Sequence, residues 1–237
     1  MTTELGSLKV FADGADLPGI LKLRDDPIVR GFTTNPTLMR KAGVDDYEAF
    51  AREILEVVTE HPISFEVFAD EFDEMERQAL RIAAWGDNVN VKVPVTNTQR
   101  ASSAELQRRL ADQGVRLNVT ALMTVRQVEE VTAAIAGGPG GYVSVFAGRI
   151  ADTGRDPIPI MQESLAVMAD HGHLELIWAS PREVLNIVQA AEIGCDIITV
   201  THDLLAKLHT LGKDLDDFSL ETVQMFHADA TGAGYTL

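Results

Sequence analysis

One cysteine, Cys195, is all that 237 residues contain. An intrachain disulfide framework is therefore excluded, and a reducing compartment is the default. Basic residues are also scarce. Twenty Lys and Arg stand against 36 Asp and Glu, a net charge of −16. Bulk charge of that sign disfavours nucleic acid and anionic membranes as partners. It leaves anionic metabolites open, because a few local arginines hold a phosphate well inside an acidic protein. No uncharged apolar run is long enough to span a bilayer. The first ten residues lack the basic start and apolar core of a signal peptide. These absences lead us to expect a soluble, cytoplasmic chain. No linker or composition break divides it, and 46% hydrophobic residues suffice for one large core, so residues 1–237 read as a single domain.

Metal-ligand spacings are missing as well. His171 and His173 end a helical stretch, and the acids at 70–74 begin one; neither pattern matches a zinc or calcium site. The G-G-P-G-G at 137–141 precedes a strand rather than following one, the wrong side for a phosphate-cradling loop. Asn118-Val-Thr120 spells a glycosylation sequon but falls in an apolar strand pattern, and Cys195 reads as a small core residue.

What is present is an alternation of short β-branched runs with helical patterns. Strand patterns fall at 8–13, 31–35, 63–69, 89–96, 116–123, 142–146, 174–179 and 196–200. Helical patterns fall between them: 17–23, 45–60, 70–85, 102–113, 124–136, 157–171 and 181–191, with closing helices at 202–209 and 219–230. Pro36 should stop the second strand. Asp45 or Asp46 can cap the helix that follows, and Ser102 with Glu105 suggests a capping box. Eight strand–helix units indicate an α/β chain folded as a (β/α)8 TIM barrel with an extra C-terminal helix. A doubly wound sheet is the alternative.

The stretch V-N-V-K-V-P-V-T at 89–96 places Lys92 inside an apolar strand, on the face opposite Val91 and Val93. Lysine is seldom buried without a task. Burial lowers an amine's pKa and makes it a nucleophile near neutral pH, the requirement for an imine with a carbonyl substrate. The same pattern also fits an edge strand with its lysine in solvent. In a barrel, functional groups gather at the C-terminal ends of the strands. Polar residues sit there on seven consecutive strands: Asp13, Thr33 with Asn35, Glu66, Lys92, Asn118 with Thr120, Ser144 ahead of Phe146, and Ser180. An amine, two carboxylates and several hydroxyl and amide groups suit carbonyl chemistry with proton transfer. Arg149, after strand six, and Arg182, at the start of the helix after strand seven, lie on loops of the same rim, where a phosphate could be held.

The segments G-F-T-T-N-P-T, V-K-V-P-V-T, L-N-V-T, V-F-A-G-R-I and A-S-P-R, in this order, resemble the transaldolase family over nearly the whole chain. The length is similar to the small-subunit group, which includes fructose-6-phosphate aldolases. The resemblance implies a (β/α)8 barrel, a pentameric or decameric homo-oligomer with the C-terminal helix on a neighbour, sugar-phosphate substrates and no cofactor or metal. It implies Lys92 as the Schiff-base lysine and Asp13 as the base for the C4 hydroxyl of the ketose. Glu66 and Thr120 would hold a proton-relaying water. Asn35, Asn118 and Ser144, supported by Thr33, would bind the dihydroxyacetone unit, and Arg149, Ser180 and Arg182 the phosphate.

Glutamate at 66 and phenylalanine at 146 are the transaldolase pairing, where the aldolases carry glutamine and tyrosine; a Phe146 ring gives the enamine no donor. Transfer is thus expected over simple cleavage, with an aldolase or a silent sugar-phosphate-binding barrel as rivals. Three positions depart from the family pattern: Gly14 should loosen its loop, Trp178 is expected to point into the pocket below Ser180, and N-T-Q-R follows Thr96.

Overall fold

In the computed structural model the eight strands close on themselves in chain order, β1 to β8, every neighbouring pair parallel. The structure describes residues 5–236; the first four residues of the N-terminal segment considered above lie outside the described residues. The first half of the barrel runs β1 (Lys9–Asp13), α1 (Leu17–Arg24), β2 (Val29–Thr33), α2 (Pro36–Lys41), α3 (Tyr47–Val57), β3 (Ile63–Glu66), α4 (Phe72–Ala83) and β4 (Val89–Pro94). It continues with α5 (Ala104–Asp112), β5 (Leu117–Leu122), α6 (Val125–Ile135), β6 (Gly141–Val145), α7 (Ala147–Ala151) and α8 (Ile158–Met168). It ends with β7 (Leu174–Trp178), α9 (Leu185–Glu192), β8 (Ile197–Thr201) and the one-turn α10 (His202–Leu205). The doubly wound alternative is set aside by closure, since β1 pairs with β8 from Lys9↔Ile197 to Asp13↔Thr201.

Alternation along each strand sorts the core into two layers. Val91, Val93, Val119, Val143 and Val145 are fully or almost fully buried on the outer face, under the helices. Phe11, Ile177 and Ile197 fill the barrel interior, with the Phe11 and Tyr142 rings edge to face at 5.6 Å. Interior packing of this type leaves the polar layer above it at the C-terminal mouth.

Helix starts follow the chemistry of their first residues, with two differences from expectation. Asp46 caps α3 through the Ala49 N–H at 3.0 Å. The capping box lies at Thr124 and Gln127 on α6, not at Ser102 and Glu105. Ser102 instead donates to Glu130, while Ser103 donates to the Pro94 carbonyl at 2.5 Å and accepts from Gln107 at 2.7 Å. Pro36 does stop β2, but it also opens α2. Proline at the first helical position loses no hydrogen bond, and Asn35 caps that turn through the Leu38 N–H at 3.0 Å.

The chain divides into two compact units, the barrel up to Leu205 and a second unit from Ala206. The second unit holds a 3-10 turn (Leu208–Thr210) and α11 (Leu215–Gly232), capped by Asp214. Leu220, Val223, Met225 and Phe226 of α11 are all more than half exposed. Among the described residues, no helix is long and apolar enough to cross a membrane.

Candidate active site

Strand register builds the site. Across β3, β4 and β5, Glu66 pairs with Lys92 and Lys92 with Asn118, so carboxylate, amine and amide share one row. On the other side of the barrel Asp13 is level with Thr33 and Thr201. These rows line a cavity of about 520 Å³ at the barrel mouth. Every residue put forward from the sequence borders it: Asp13, Thr33, Asn35, Glu66, Lys92, Asn118, Thr120, Ser144, Phe146, Arg149, Ser180 and Arg182.

Lys92 is 7% exposed, which removes the edge-strand alternative. Its Nζ donates to the Thr34 carbonyl at 2.9 Å and stands 3.2 Å from Glu66 Oε2. Asp13 accepts from Thr33 Oγ1 at 2.7 Å. Burial pushes the Asp13 carboxyl above the usual carboxylate range; Lys92 and the Thr33 hydrogen bond pull it down, Glu66 pushes it up, and His202 pulls it down. A chain of hydrogen bonds fixes the floor: Ser144 Oγ donates to Asn118 Oδ1 at 2.7 Å, and Asn118 Nδ2 donates to Ser64 Oγ at 3.0 Å. Thr120 Oγ1 is buried with no partner among the described residues. Beside it Ala121 takes a left-handed conformation, φ 66°, where the β5–β6 register shifts. A bulge there re-aims the strand end at the mouth.

The opposite rim carries the arginines. Gly148 sits so close to the β7–α9 loop that an added Cβ would fall 1.6 Å from the Ser180 carbonyl oxygen. Only glycine allows this approach, which brings Arg149 and Arg182 to one side of the cavity. Ser180 is itself left-handed, φ 62°, and accepts from Arg182 at 3.0 Å. Arg182 also pairs with Asp152, and the Arg149 guanidinium lies 5.7 Å over the Phe146 ring.

Two placements differ from expectation. Arg182 does not start a helix, because α9 begins only at Leu185. Trp178 points to the outer face and is fully buried there, level with Val145 and Ile198. Parity counted back from Ser180 fails because Ser180 lies beyond β7 in a left-handed turn, outside the strand's alternation. Ile177 and Ala179 are the inward residues, and Ala179 borders the cavity.

Sequence reasoning also missed several lining residues. Thr199 and Thr201 on β8 border the cavity, and their spacing on either side of Val200 was the available signal. Lys41 at the end of α2 borders it too, but no strand pattern points to that position.

Comparison with known proteins matches residues 10–236 to the family described as Transaldolase/Fructose-6-phosphate aldolase. The chain belongs to this family. A "Probable transaldolase" of Dehalococcoides mccartyi is 35% identical over 202 residues, covering 85% of this chain and 90% of that one. Another of Nitrosopumilus maritimus is 34% identical over 210 residues, covering 87% and 90%. Among solved structures, the barrel is similar to dihydrodipicolinate synthase from Rhodopseudomonas palustris at a TM-score of 0.52 and 16% identity, covering 83% of this chain and 70% of that one. A structure titled "Native KDPGal structure" matches at 0.53 and 12% identity, covering 96% of each chain. Identities this low speak for the fold alone. Family membership makes the chain an enzyme of the transaldolase and aldolase group.

Proposed function

We propose that the enzyme is a transaldolase. In this reading it moves a dihydroxyacetone unit from a ketose phosphate, such as fructose 6-phosphate or sedoheptulose 7-phosphate, to an aldose phosphate through an imine on Lys92. The observation that carries the reading is the Lys92 amine, buried in a closed barrel between Glu66 and the Thr34 carbonyl, in a cavity shared with Asp13.

The steps follow from the groups at hand. Lys92 Nζ attacks the C2 carbonyl, and the carbinolamine loses water. Glu66 lies close enough to shuttle the protons through a water also held by the unpartnered Thr120 hydroxyl. Asp13 takes the C4 hydroxyl proton as the C3–C4 bond breaks. The aldose phosphate departs and its electron pair remains on the lysine adduct as an enamine. Asn35, Asn118 and Ser144, with Thr33, hold the hydroxyls of the retained unit. Asn35 has its amide N–H groups left for this task, since its oxygen caps α2. Arg149, Ser180 and Arg182 hold the phosphate. Phe146 has no hydroxyl to protonate the enamine, which favours its survival until an acceptor aldehyde enters.

The role needs no cofactor or metal and fits a cytoplasmic enzyme of carbohydrate metabolism, in the manner of the pentose phosphate pathway. The family match runs through both units, which supports one domain over 1–237. A homo-oligomer, pentamer or decamer, fits the exposed apolar residues of α11. Incubation with fructose 6-phosphate alone tests the activity. We expect release of the three-carbon aldose phosphate up to about one equivalent per site with no free dihydroxyacetone, and turnover only after erythrose 4-phosphate is added; steady release of dihydroxyacetone would instead establish an aldolase.

A further inference from the structure

His202 stands outside the cavity lining, yet it closes the back of the loop that presents Asp13. It is the first residue after β8, and β8 pairs with β1 so that Asp13 is level with Thr201. The imidazole therefore reaches over the turn that follows Asp13. Two glycines make room for it. A Cβ on Gly14 would lie 2.5 Å from His202 Nε2, and one on Gly19 would lie 2.4 Å from its Cε1. Neither glycine has a positive φ, so the fold needs them for space and not for conformation.

The ring is also tied down. His202 Nδ1 is 3.3 Å from Asp16 Oδ2, while the other Asp16 oxygen accepts from the Gly19 N–H at 2.7 Å and caps α1. Nε2 is buried and has no partner among the described residues, so shape and Asp16 alone orient the ring. Gly14 gives the chain no side chain of its own to restrict the turn, and its N–H donates to the Thr33 carbonyl at 3.1 Å. The imidazole supplies the missing bulk. It locks the end of β1, the start of α1 and the end of β8 into one block, with the Asp13 carboxylate facing Thr33. The space beside Gly14 is thus filled by the His202 ring.

We propose that His202, held by Asp16 in the slot between Gly14 and Gly19, is a positioning residue that aims Asp13 at the substrate. The role rests on the lysine reading above, and it concerns the bond-breaking step and not imine formation. A displacement of about 1 Å in a reacting group costs up to roughly a hundredfold in rate. Removing the ring should therefore slow C3–C4 cleavage while Lys92 still captures the ketose.

Borohydride trapping with fructose 6-phosphate separates the two steps. Reduction of the uncleaved imine leaves a six-carbon adduct, and reduction after cleavage leaves a three-carbon one. In His202→Ala, total adduct should stay within about twofold of wild type. The ratio of six-carbon to three-carbon adduct should rise about tenfold or more, with turnover falling in step. Gly14→Ala should do the same by pushing the ring aside, and its effect should vanish in the His202→Ala background. If His202→Ala does not fold, Asp16→Asn carries the test. It keeps the helix cap, weakens the hold on the ring, and should shift the ratio in the same direction by a smaller factor.

An unchanged ratio in the variant that folds, or additive effects of Gly14→Ala and His202→Ala, would overturn the role of His202. Wild-type enzyme that forms no adduct on Lys92 would overturn the lysine reading itself, and the two failures are distinct.

Discussion

Replacing Gly148 with alanine should separate the two loops that carry the arginines. The new methyl would lie 1.6 Å from the Ser180 carbonyl oxygen and 3.4 Å from Arg182 Nε. Carbon and oxygen need about 3.5 Å between them, so the loops must part by roughly 2 Å. Overpacking of this kind costs about 1–3 kcal/mol of stability. For a chain of this size that lowers the Tm by several degrees, at about 2–4 °C per kcal/mol. The larger effect should be on the phosphate. Displaced, Arg182 and Arg149 no longer converge, and losing a charge-assisted contact costs about 1.5–3 kcal/mol. That is roughly a tenfold to hundredfold rise in KM for fructose 6-phosphate.

Unphosphorylated fructose makes no such contact, so its kcat/KM should stay within about twofold of wild type. Gly137→Ala is the control, because a Cβ at Gly137 meets nothing within 4 Å. The assay is steady-state kinetics with both sugars beside a thermal melt of each variant. A Gly148→Ala enzyme with wild-type Tm and an unchanged preference for the phosphorylated sugar would refute the assignment of the phosphate to this rim.

Asp13 gives a test in pH. Its carboxyl titrates above the usual range because of burial, so the folded state holds the proton more tightly than the unfolded chain. This contribution to stability is present below the unfolded pKa and is lost as pH rises through the folded one. Asp13→Asn should therefore melt close to wild type near pH 4 and above it at pH 7, while losing roughly a hundredfold to ten-thousandfold in activity, as thermal scans and turnover assays would show. The wild-type rate of cleavage should fall on the acid side at a pH above that of an ordinary aspartate. Phe146→Tyr puts a hydroxyl beside the enamine and should raise the release of free dihydroxyacetone from donor alone, measured by a coupled reduction. Dialysis against EDTA should leave turnover unchanged, since no step of the lysine mechanism calls on a metal.

How much of this was legible in the sequence depended on periodicity. Strands with inward polar residues at alternate positions, such as Thr33 with Asn35 and Asn118 with Thr120, announced both the barrel and the cavity. Legibility ended where the backbone left its repeat. Ser180 is past the strand in a left-handed turn, so parity carried back from it put Trp178 on the wrong face. Asn35-Pro36 looked like a strand end, yet the same pair caps and opens a helix. The capping box at Thr124 and Gln127 went unread, although it is the same hydroxyl-then-Glu/Gln pattern as Ser102 and Glu105; in the fold Ser102 serves Glu130 and Ser103 serves Pro94. Close approaches were invisible altogether. Gly148 against Ser180, and His202 between Gly14 and Gly19, join residues far apart in the chain whose spacing carries no pattern.

The most direct measurement is peptide mass mapping after borohydride reduction with a ketose phosphate. The lysine mechanism predicts a single modified peptide, with the added mass on Lys92 and none of it in Lys92→Met. Full activity in Lys92→Met, or a stable adduct on any other lysine, would contradict it.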